Sequence, residues 1–259
     1  MNRIRIQIYE IQSPEEAEAM IRLGVDHVGS VLLVEEYWKN PALHKTVDAV
    51  RRLGAKSSLI PLFHRKESIA RALYYYRPDI VHFCDMLEES ESGKRLQYRR
   101  CELQAWIRDR FPEVKIMRSI PIPQAGGAAP DPVFAAARRF EGVSDFFLTD
   151  TLMPSADGGA AAAQPVRGYV GITGKTCDWA TARELVCRST IPVILAGGIS
   201  PENVAAGIDA VRPAGVDSCT CTNAVGADGN PIRFHKDPAR VRRLVEAARQ
   251  AEKRLQAQP

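Results

Sequence analysis

The sequence IPVILAGGISPENV at residues 191–204 predicts a buried strand that runs directly into a helix. An apolar run of strand length ends at Gly197 and Gly198, and Ser200 followed by Pro201 is typical of an N-cap and a first helical position. Glycine lets backbone N–H groups approach a ligand closely, and a helix start favours negative charge. This turn can therefore bind a phosphate or a carboxylate. The alternative is a tight turn that needs glycine for steric reasons alone.

Outward from this turn, strand-like and helix-like segments alternate along the chain. Strands are predicted at residues 3–9, 26–33, 57–63, 80–84, 114–120, 145–149, 191–196 and 215–218, and helices at about 13–23, 43–53, 66–76, 93–111, 131–140, 178–188, 200–211 and from 238 onward. Alternation of this kind requires a parallel sheet covered by helices, and eight units close most naturally into a (β/α)8 TIM barrel.

We therefore expect one TIM-barrel domain over residues 1–259. An open doubly wound sheet is the structural alternative, but residues 9–12 lack the glycine-rich fingerprint that such a sheet usually carries after its first strand. Residues 121–129 and 152–168 are rich in glycine, alanine and proline and are expected to form loops, the second of them mobile.

Composition and charge exclude several partners. The net charge is only +4, and the basic residues near the C-terminus alternate with apolar ones as on the wet face of an amphipathic helix, so no nucleic-acid partner is expected. The N-terminus is strand-like, and no apolar run approaches a membrane span, which predicts a cytoplasmic protein without membrane contact. The six cysteines have neither disulfide-framework density nor zinc-finger spacing, so no metal is expected.

Three loops predicted after strands six, seven and eight carry small or glycine residues, at 171–176, 197–198 and 220–223. Neighbouring loops converge at one rim of a barrel, which is the usual phosphate pocket of this fold. The candidate phosphate-binding residues are Gly171, Thr173, Gly174, Gly197, Gly198, Thr220, Cys221 and Thr222. Loops that need glycine only in order to turn are the alternative.

The motifs GITGKTCDW (171–179), LAGGI (195–199) with PENV (201–204), GVD (215–217) and KD (236–237) together resemble the phosphoribosylanthranilate isomerases of tryptophan biosynthesis. The first half of the chain resembles this family more loosely. The resemblance implies an Amadori rearrangement of a phosphorylated sugar, from aminoaldose to aminoketose, without a cofactor. Such a reaction needs an acid to open the furanose and a base to move a proton from the adjacent carbon.

The resemblance assigns the acid to Asp150, at the end of strand six. For the base, the family has Lys-Ile-Cys-Gly at the end of strand one, where this chain has Gln7-Ile8-Tyr9-Glu10. A phenol, with a pKa of about 10, accepts a proton less readily at neutral pH than a thiol, at about 8.5. Side chains alternate along a strand, so only one of Tyr9 and Glu10 should face the interior unless the strand has already ended. Asp150, Glu10 and Tyr9 are the catalytic candidates.

Two further positions differ from the family pattern. Asn40-Pro41-Ala42 stands where the family has Ser-Pro-Arg, whose arginine meets the anthranilate carboxylate, and residues 82–85 stand where it has Gln-Leu-His-Gly. Conceivable replacements are Lys39 or His44 as the cation and Cys84, Asp85 or Glu10 as the base.

Two functions therefore stay open from the sequence. The first is an isomerase of the family's type, acting as a monomer or homodimer. The second is a catalytically inactive or repurposed barrel that only binds phosphosugars. A lyase or epimerase of another phosphate-binding barrel family would need a lysine or paired aspartates at strand ends, and His64, Lys115 and Asp217 do not make a convincing set.

Overall fold

A computed structural model describes residues 3–88, 90–127, 130–154 and 164–257 of the chain. Within these ranges the barrel strands are β1 (Arg5–Ile8), β2 (His27–Leu32), β3 (Lys56–Pro61), β4 (Ile80–Phe83), β5 (Lys115–Pro123), β6 (Phe146–Leu152), β7 (Val193–Leu195) and β8 (Gly215–Ser218). The helices are α1 (Pro14–Arg22), α2 (Pro41–Arg52), α3 (Lys66–Tyr76), α4 (Glu91–Arg110), α5 (Asp131–Glu141), α6 (Trp179–Arg188), α7 (Val204–Val211) and α8 (Pro238–Gln256).

The eight parallel strands form a closed barrel in sequence order, so the predicted (β/α)8 fold is confirmed. Closure is made by β8 and β1, which pair in parallel from Arg5 opposite Gly215 to Ile8 opposite Ser218. All strands run in one direction, so their carboxyl ends and the loops that follow them meet at one rim, where this fold carries its chemistry.

Two apolar layers hold the barrel together. Inside it, side chains such as Val31, Met117 and Ile194 fill the space between the strands. Outside, the apolar faces of the helices pack on the strands, as Leu73 of α3 and Ile107 of α4 do in one of the buried clusters. Burying one large apolar side chain stabilises the folded state by about 1.5 to 3 kcal/mol, so these layers are the main source of stability.

Local signals placed most helix ends correctly. The Ser13 hydroxyl accepts a hydrogen bond from the Glu16 amide at 3.2 Å, which is the predicted N-cap of α1. Gly24 follows the helix with φ of +98°, a conformation in which other residues are strained. Asp178 caps α6 by accepting from the amides of Ala180 and Thr181.

The predicted loop at residues 121–129 is wrong at its start, because β5 continues to Pro123. Proline is tolerated there for a positional reason. The pairing of β5 with β4 ends at Arg118, whereas its pairing with β6 continues to Pro123 opposite Leu152. The edge of β5 that faces away from β6 thus needs no further amide donors, and this is where a sheet accepts proline. Strand β6 lengthens with it and includes Asp150.

The prediction that Ser200 caps the seventh helix is also wrong, because α7 begins at Val204. A turn precedes the helix instead. The Ser200 hydroxyl accepts from the Glu202 amide at 3.2 Å, and the Asn203 side chain accepts from the Ser200 amide and donates to the Gly198 carbonyl. These bonds hold residues 198–203 in a closed turn, so the start of α7 lies farther from the two glycines than the sequence suggested.

A two-stranded antiparallel hairpin lies between β8 and α8. It consists of β9 (Asn223–Val225) and β10 (Pro231–Lys236). The predicted mobile loop at 152–168 falls largely on residues 155–163, which lie outside the described residues. Among the described residues, no helix has the length and apolar character needed to span a membrane.

Candidate active site

The loops after β6, β7 and β8 meet in a small pocket of about 330 Å³ at the carboxyl rim of the barrel. Of the predicted phosphate-binding residues, this pocket is lined by Thr173, Gly174, Gly197, Gly198, Thr220 and Cys221. We refer to this set of six residues as the anion cup. The geometric prediction that three loops gather around one space is thus met for these residues. Thr222 is buried, with its hydroxyl donating to the Cys219 carbonyl, and does not line the cup.

Glycine is sterically required at the centre of the cup. A Cβ on Gly198 would lie 2.5 Å from the carbonyl carbon of Lys175 and 2.7 Å from the amide nitrogen of Thr176, and φ at Gly198 is +59°. A Cβ on Gly197 would overlap the hydroxyl of Thr151. The loops after β6 and β7 are therefore in backbone contact, a closeness that only glycine permits.

Some of the residues that line the cup have backbone amides without hydrogen-bond partners in the described ranges. The amides of Gly174, Gly198 and Cys221 donate no hydrogen bond to any atom in the described ranges. Unpaired N–H groups on converging turns form the kind of concave surface that binds anions. The cup can therefore hold a phosphate group through main-chain hydrogen bonds.

A second, larger pocket of about 600 Å³ adjoins the cup toward the barrel axis. Apolar side chains line part of it, among them Val31, Ile60 and Leu148. The two pockets share the residues Asp150, Ile172, Asp217 and Cys219. Gly171, which was predicted to contact phosphate, lines this larger pocket rather than the cup. A ligand with a phosphate at one end and a flat apolar group at the other would thus pass the four shared residues.

Asp150 lies at this junction, near the carboxyl end of β6. Its Oδ1 accepts a hydrogen bond from the Thr151 amide at 2.9 Å. Burial raises the pKa of Asp150 to about 7, and the bond from Thr151 opposes that rise. At neutral pH this carboxyl is therefore protonated in a substantial fraction of molecules, which is what a general acid requires.

Tyr9 and Glu10 both line the larger pocket, because β1 ends at Ile8 and the alternation of side chains ends with it. The Tyr9 hydroxyl lies 2.5 Å from the Ser58 hydroxyl and 2.7 Å from Nδ1 of His82. Burial raises the pKa of Tyr9 well above its ordinary value of 10. The phenol is thus neutral and fixed in a buried network.

Glu10 has φ of +64°, and its carboxylate is buried against the hairpin. Its Oε1 accepts a hydrogen bond from Nε of Arg233 at 2.8 Å and a second one from the same guanidinium. Glu10, a candidate base, is therefore already paired. The ion pair also brings Arg233, a residue that sequence reasoning did not single out, to the wall of the larger pocket.

The other candidate bases are less suited to accept a proton. Cys84 lines the larger pocket, but burial raises the pKa of its thiol far above neutrality. Asp85 lies outside both pockets, 2.6 Å from the buried guanidinium of Arg118. Burial would raise the pKa of Asp85, yet Arg118, His64 and Arg100 together hold it below its usual value.

The two cations suggested as replacements do not reach the site. Lys39 lies over the ring of Tyr75 on the outer face of the barrel, and His44 packs on the same ring and pairs with Asp48. Neither side chain lines the cup or the larger pocket.

Asp217 is the functional candidate that sequence reasoning dismissed. It lies in β8, is 6% exposed, and lines both pockets beside Asp150. Its Oδ1 accepts a hydrogen bond from Nε2 of Gln7 at 3.0 Å. Burial raises the pKa of Asp217 to about 7, and the Gln7 bond opposes the rise while the neighbouring Asp150 adds to it. The feature of the sequence that could have identified Asp217 is its position near the end of the eighth strand, beside the predicted phosphate-binding loops.

The closed parallel barrel, the anion cup and the two carboxyls beside it define a TIM barrel whose carboxyl rim carries a site suited to a phosphorylated small molecule. A family model described as N-(5'-phosphoribosyl)anthranilate (PRA) isomerase matches residues 96–246. A PRA isomerase of Methanocella arvoryzae is 30% identical over 254 residues, which cover 95% of this chain and 98% of that protein. The chain belongs to the PRA isomerase family.

Solved structures share the fold. The PRA isomerase of Thermotoga maritima superposes with a TM-score of 0.66 at 19% identity, covering 96% of this chain and all of that one. A PRA isomerase in complex with reduced 1-(o-carboxyphenylamino)-1-deoxyribulose 5-phosphate gives a TM-score of 0.64 at 18% identity, with the same coverage. At such low identity these likenesses support the barrel and nothing finer.

Proposed function

We propose that this protein catalyses the isomerisation of N-(5'-phosphoribosyl)anthranilate to its 1-amino-1-deoxyribulose phosphate isomer. The observation that carries the proposal is the position of Asp150, a carboxyl with a pKa raised to about 7, at the junction between the anion cup and the larger pocket. Membership of the family supplies the reaction class.

In this proposal the 5-phosphate binds in the cup and the anthranilate ring lies in the larger pocket. Unpaired amides at Gly174, Gly198 and Cys221 suit the phosphate, and the apolar wall formed by Val31, Ile60 and Leu148 suits the ring. The furanose then spans the junction. Arg233 is the guanidinium on the wall of the larger pocket, and we assign it to the carboxylate of the ring.

Asp150 acts as the general acid. Its protonated form donates to the furanose ring oxygen as the bond between that oxygen and C1 breaks, and the anthranilate nitrogen forms a double bond to C1. A positioned acid with a pKa near the working pH contributes about 100-fold to 10,000-fold to such a step. The reaction is an internal transfer of protons, and no cofactor takes part in the proposed steps.

The direct test is turnover of freshly prepared phosphoribosylanthranilate, followed by the loss of its fluorescence. We expect the wild-type protein to convert it and Asp150→Asn to convert it at least about 100 times more slowly. The function is disproved if wild-type protein shows no more turnover than Asp150→Asn while both remain folded by circular dichroism.

A phosphosugar-binding barrel without catalysis is the second candidate, and it is favoured by the engagement of Tyr9 with Ser58 and His82, which leaves no free base at the end of β1. It predicts that inorganic phosphate or ribose 5-phosphate raises the melting temperature while phosphoribosylanthranilate is not converted. The two candidates are separated by the same pair of measurements.

The proposed setting is the cytoplasm, with no nucleic-acid or membrane partner. The chain is taken to act as a single domain in a monomer or a homodimer. One Thermotoga maritima relative is described as a dimeric enzyme converted to monomers. Light scattering of the purified protein will decide between the two states.

A further inference from the structure

Asp150 and Asp217 form a pair of carboxyls at the point where the two pockets meet. Both side chains line the smaller and the larger pocket, and the charge of Asp150 contributes to the raised pKa of Asp217. They approach from different strands, Asp150 from β6 and Asp217 from β8. A sugar ring held between the pockets would therefore have one carboxyl on each side.

Asp217 is oriented rather than merely buried. Its Oδ1 is held by Nε2 of Gln7, and Oε1 of Gln7 lies 3.1 Å from Nδ1 of His27. Within the described part of the chain, no hydrogen bond to Oδ2 of Asp217 is found, and this atom is not among the buried atoms without partners. One carboxylate oxygen is thus fixed by β1 while the other is open to the pocket.

The other titratable side chains of the larger pocket are occupied or hard to ionise. Both ring nitrogens of His82 are bonded, to Tyr9 and to Ser119, and burial lowers its pKa to about 3. Glu10 is paired with Arg233 through Oε1, and its Oε2, although without a hydrogen-bond partner, is fully buried and not open to the pocket. The thiol of Cys219 is protonated at neutral pH, because burial raises its pKa. An open carboxylate oxygen is therefore left to Asp217 opposite the acid Asp150.

We propose that Asp217 is the catalytic base that takes the proton from C2 of the sugar. This assignment rests on the proposed function and goes beyond it, because neither Tyr9 nor Glu10 then carries the proton.

The step balances within the substrate and the two carboxyls. After Asp150 has given its proton to the ring oxygen, the Asp217 carboxylate takes the C2 proton. The electrons of that C–H bond form the C1=C2 double bond, and the C1=N electrons return to nitrogen. Asp217 then returns its proton to C1, and the 2-hydroxyl gives its proton to Asp150 as the C2 ketone forms. Both residues end in their starting states.

The test compares Asp217→Asn with the wild type and with Asp109→Asn, an exposed carboxylate on α4. Substrate is supplied with hydrogen or with deuterium at C2. We expect Asp217→Asn to lower kcat about 1,000-fold with KM changed less than about threefold, and to show a larger primary isotope effect than the wild type. Asp217→Glu should recover part of kcat, and Asp109→Asn should match the wild type.

Stabilisation of Asp217→Asn by inorganic phosphate, measured as a rise in melting temperature, shows that the variant is folded with its cup intact. A phosphate-binding Asp217→Asn that retains kcat within about tenfold, or that loses kcat without an isotope effect, overturns the assignment. Failure of the proposed function is distinct, because in that case the wild type itself does not turn over phosphoribosylanthranilate. An Asp217→Asn protein that no longer binds phosphate also counts against the assignment, since it gives Asp217 a structural role.

Discussion

Gly171 lies directly against the carboxyl group of Asp150: a Cβ built on Gly171 would overlap Oδ2 of Asp150. The backbone at Gly171 has φ of +116°, a region that residues with a side chain rarely adopt. The loop after β6 therefore leaves just enough room for the Asp150 carboxyl, because residue 171 has a hydrogen atom in place of a side chain.

Gly171→Ala is expected to displace the Asp150 carboxyl and lower kcat by about 100-fold, because proton transfer depends on close alignment of the acid. The matched control is Gly168→Ala, since Gly168 also has a positive φ, of +82°, but no atom lies near its Cβ position. Both variants should lose about 1 to 2 kcal/mol of unfolding free energy from backbone strain. Equal kcat in the two variants would show that Gly171 does not position the Asp150 carboxyl.

The anion cup is tested at Gly198, whose Cβ would meet the backbone of Lys175 and Thr176. Gly198→Ala should push the loops after β6 and β7 apart and raise both KM and the inhibition constant of inorganic phosphate by about tenfold, the equivalent of 1.4 kcal/mol. Gly229→Ala on the hairpin turn is the control, because Gly229 has φ of +80° and open space at its Cβ. An unchanged phosphate constant in Gly198→Ala would place the phosphate elsewhere.

The substitution Tyr9→Phe tests whether the Tyr9 hydroxyl has a structural role or acts as the catalytic base. The substitution removes a hydroxyl that contacts Ser58 and His82, and leaves their buried polar atoms unpaired. We expect a loss of about 1 to 3 kcal/mol in unfolding free energy. We expect kcat to change by less than about tenfold, whereas loss of a general base would cost about 100-fold or more. A kcat deficit of that larger size with little loss of stability would restore Tyr9 as the base.

The barrel was predictable because each of its parts has a local signal. Apolar runs such as residues 191–196 alternate with capped helices, and Ser13 and Asp178 lie at helix starts for reasons that a short window contains. The anion cup was predictable for the same reason, since parallel strands must bring their following loops to one rim. Asp150 came from the family resemblance, and its raised pKa came only with the structure.

The rest of the site depends on contacts between distant parts of the chain. Gln7 and Asp217 are 210 positions apart and meet only because β8 closes on β1. Glu10 meets Arg233 on the second, largely exposed strand of the hairpin, 223 positions later in the chain, so no short window of sequence contains this contact. The seventh helix was misplaced because the Ser-Pro pair, a common helix start, here begins a separate turn held by Asn203.

The free energy of unfolding should fall as pH rises, because the buried carboxyls of Asp150 and Asp217 lose their protons. Burial raises the pKa of Asp150 and of Asp217 to about 7, so the folded state binds their protons more tightly than the unfolded state does. Their effect on stability is therefore fully favourable below about pH 4 and is lost as pH rises through about 7. The apparent values belong to the pair, because the two groups interact.

Asp150→Asn and Asp217→Asn should accordingly raise the free energy of unfolding at pH 8 by about 1 kcal/mol or more relative to wild type, and by much less at pH 5. Urea unfolding at the two pH values measures this difference, with Asp109→Asn as the exposed control. Variants that are less stable than wild type at pH 8 would show that the buried charges are compensated by contacts that the asparagines lose.

The ion pair between Glu10 and Arg233 joins the end of β1 to the hairpin and should contribute to the stability of the fold. Glu10 is 2% exposed, so Arg233→Ala would leave a buried carboxylate without its partner. Breaking a fully buried pair costs about 3 to 5 kcal/mol. The Arg233 side chain is 39% exposed, which lowers the expected loss to about 1 to 3 kcal/mol.

The double variant Glu10→Gln with Arg233→Ala removes the unpaired charge, so it should be more stable in urea than Arg233→Ala alone. Arg242→Ala, an exposed change on α8, should leave stability within about 0.5 kcal/mol of wild type. The same variants report on the substrate: if Arg233 also holds the anthranilate carboxylate, Arg233→Ala raises KM and the Glu10 change does not restore it. A double variant that recovers KM together with stability would confine Arg233 to a structural role.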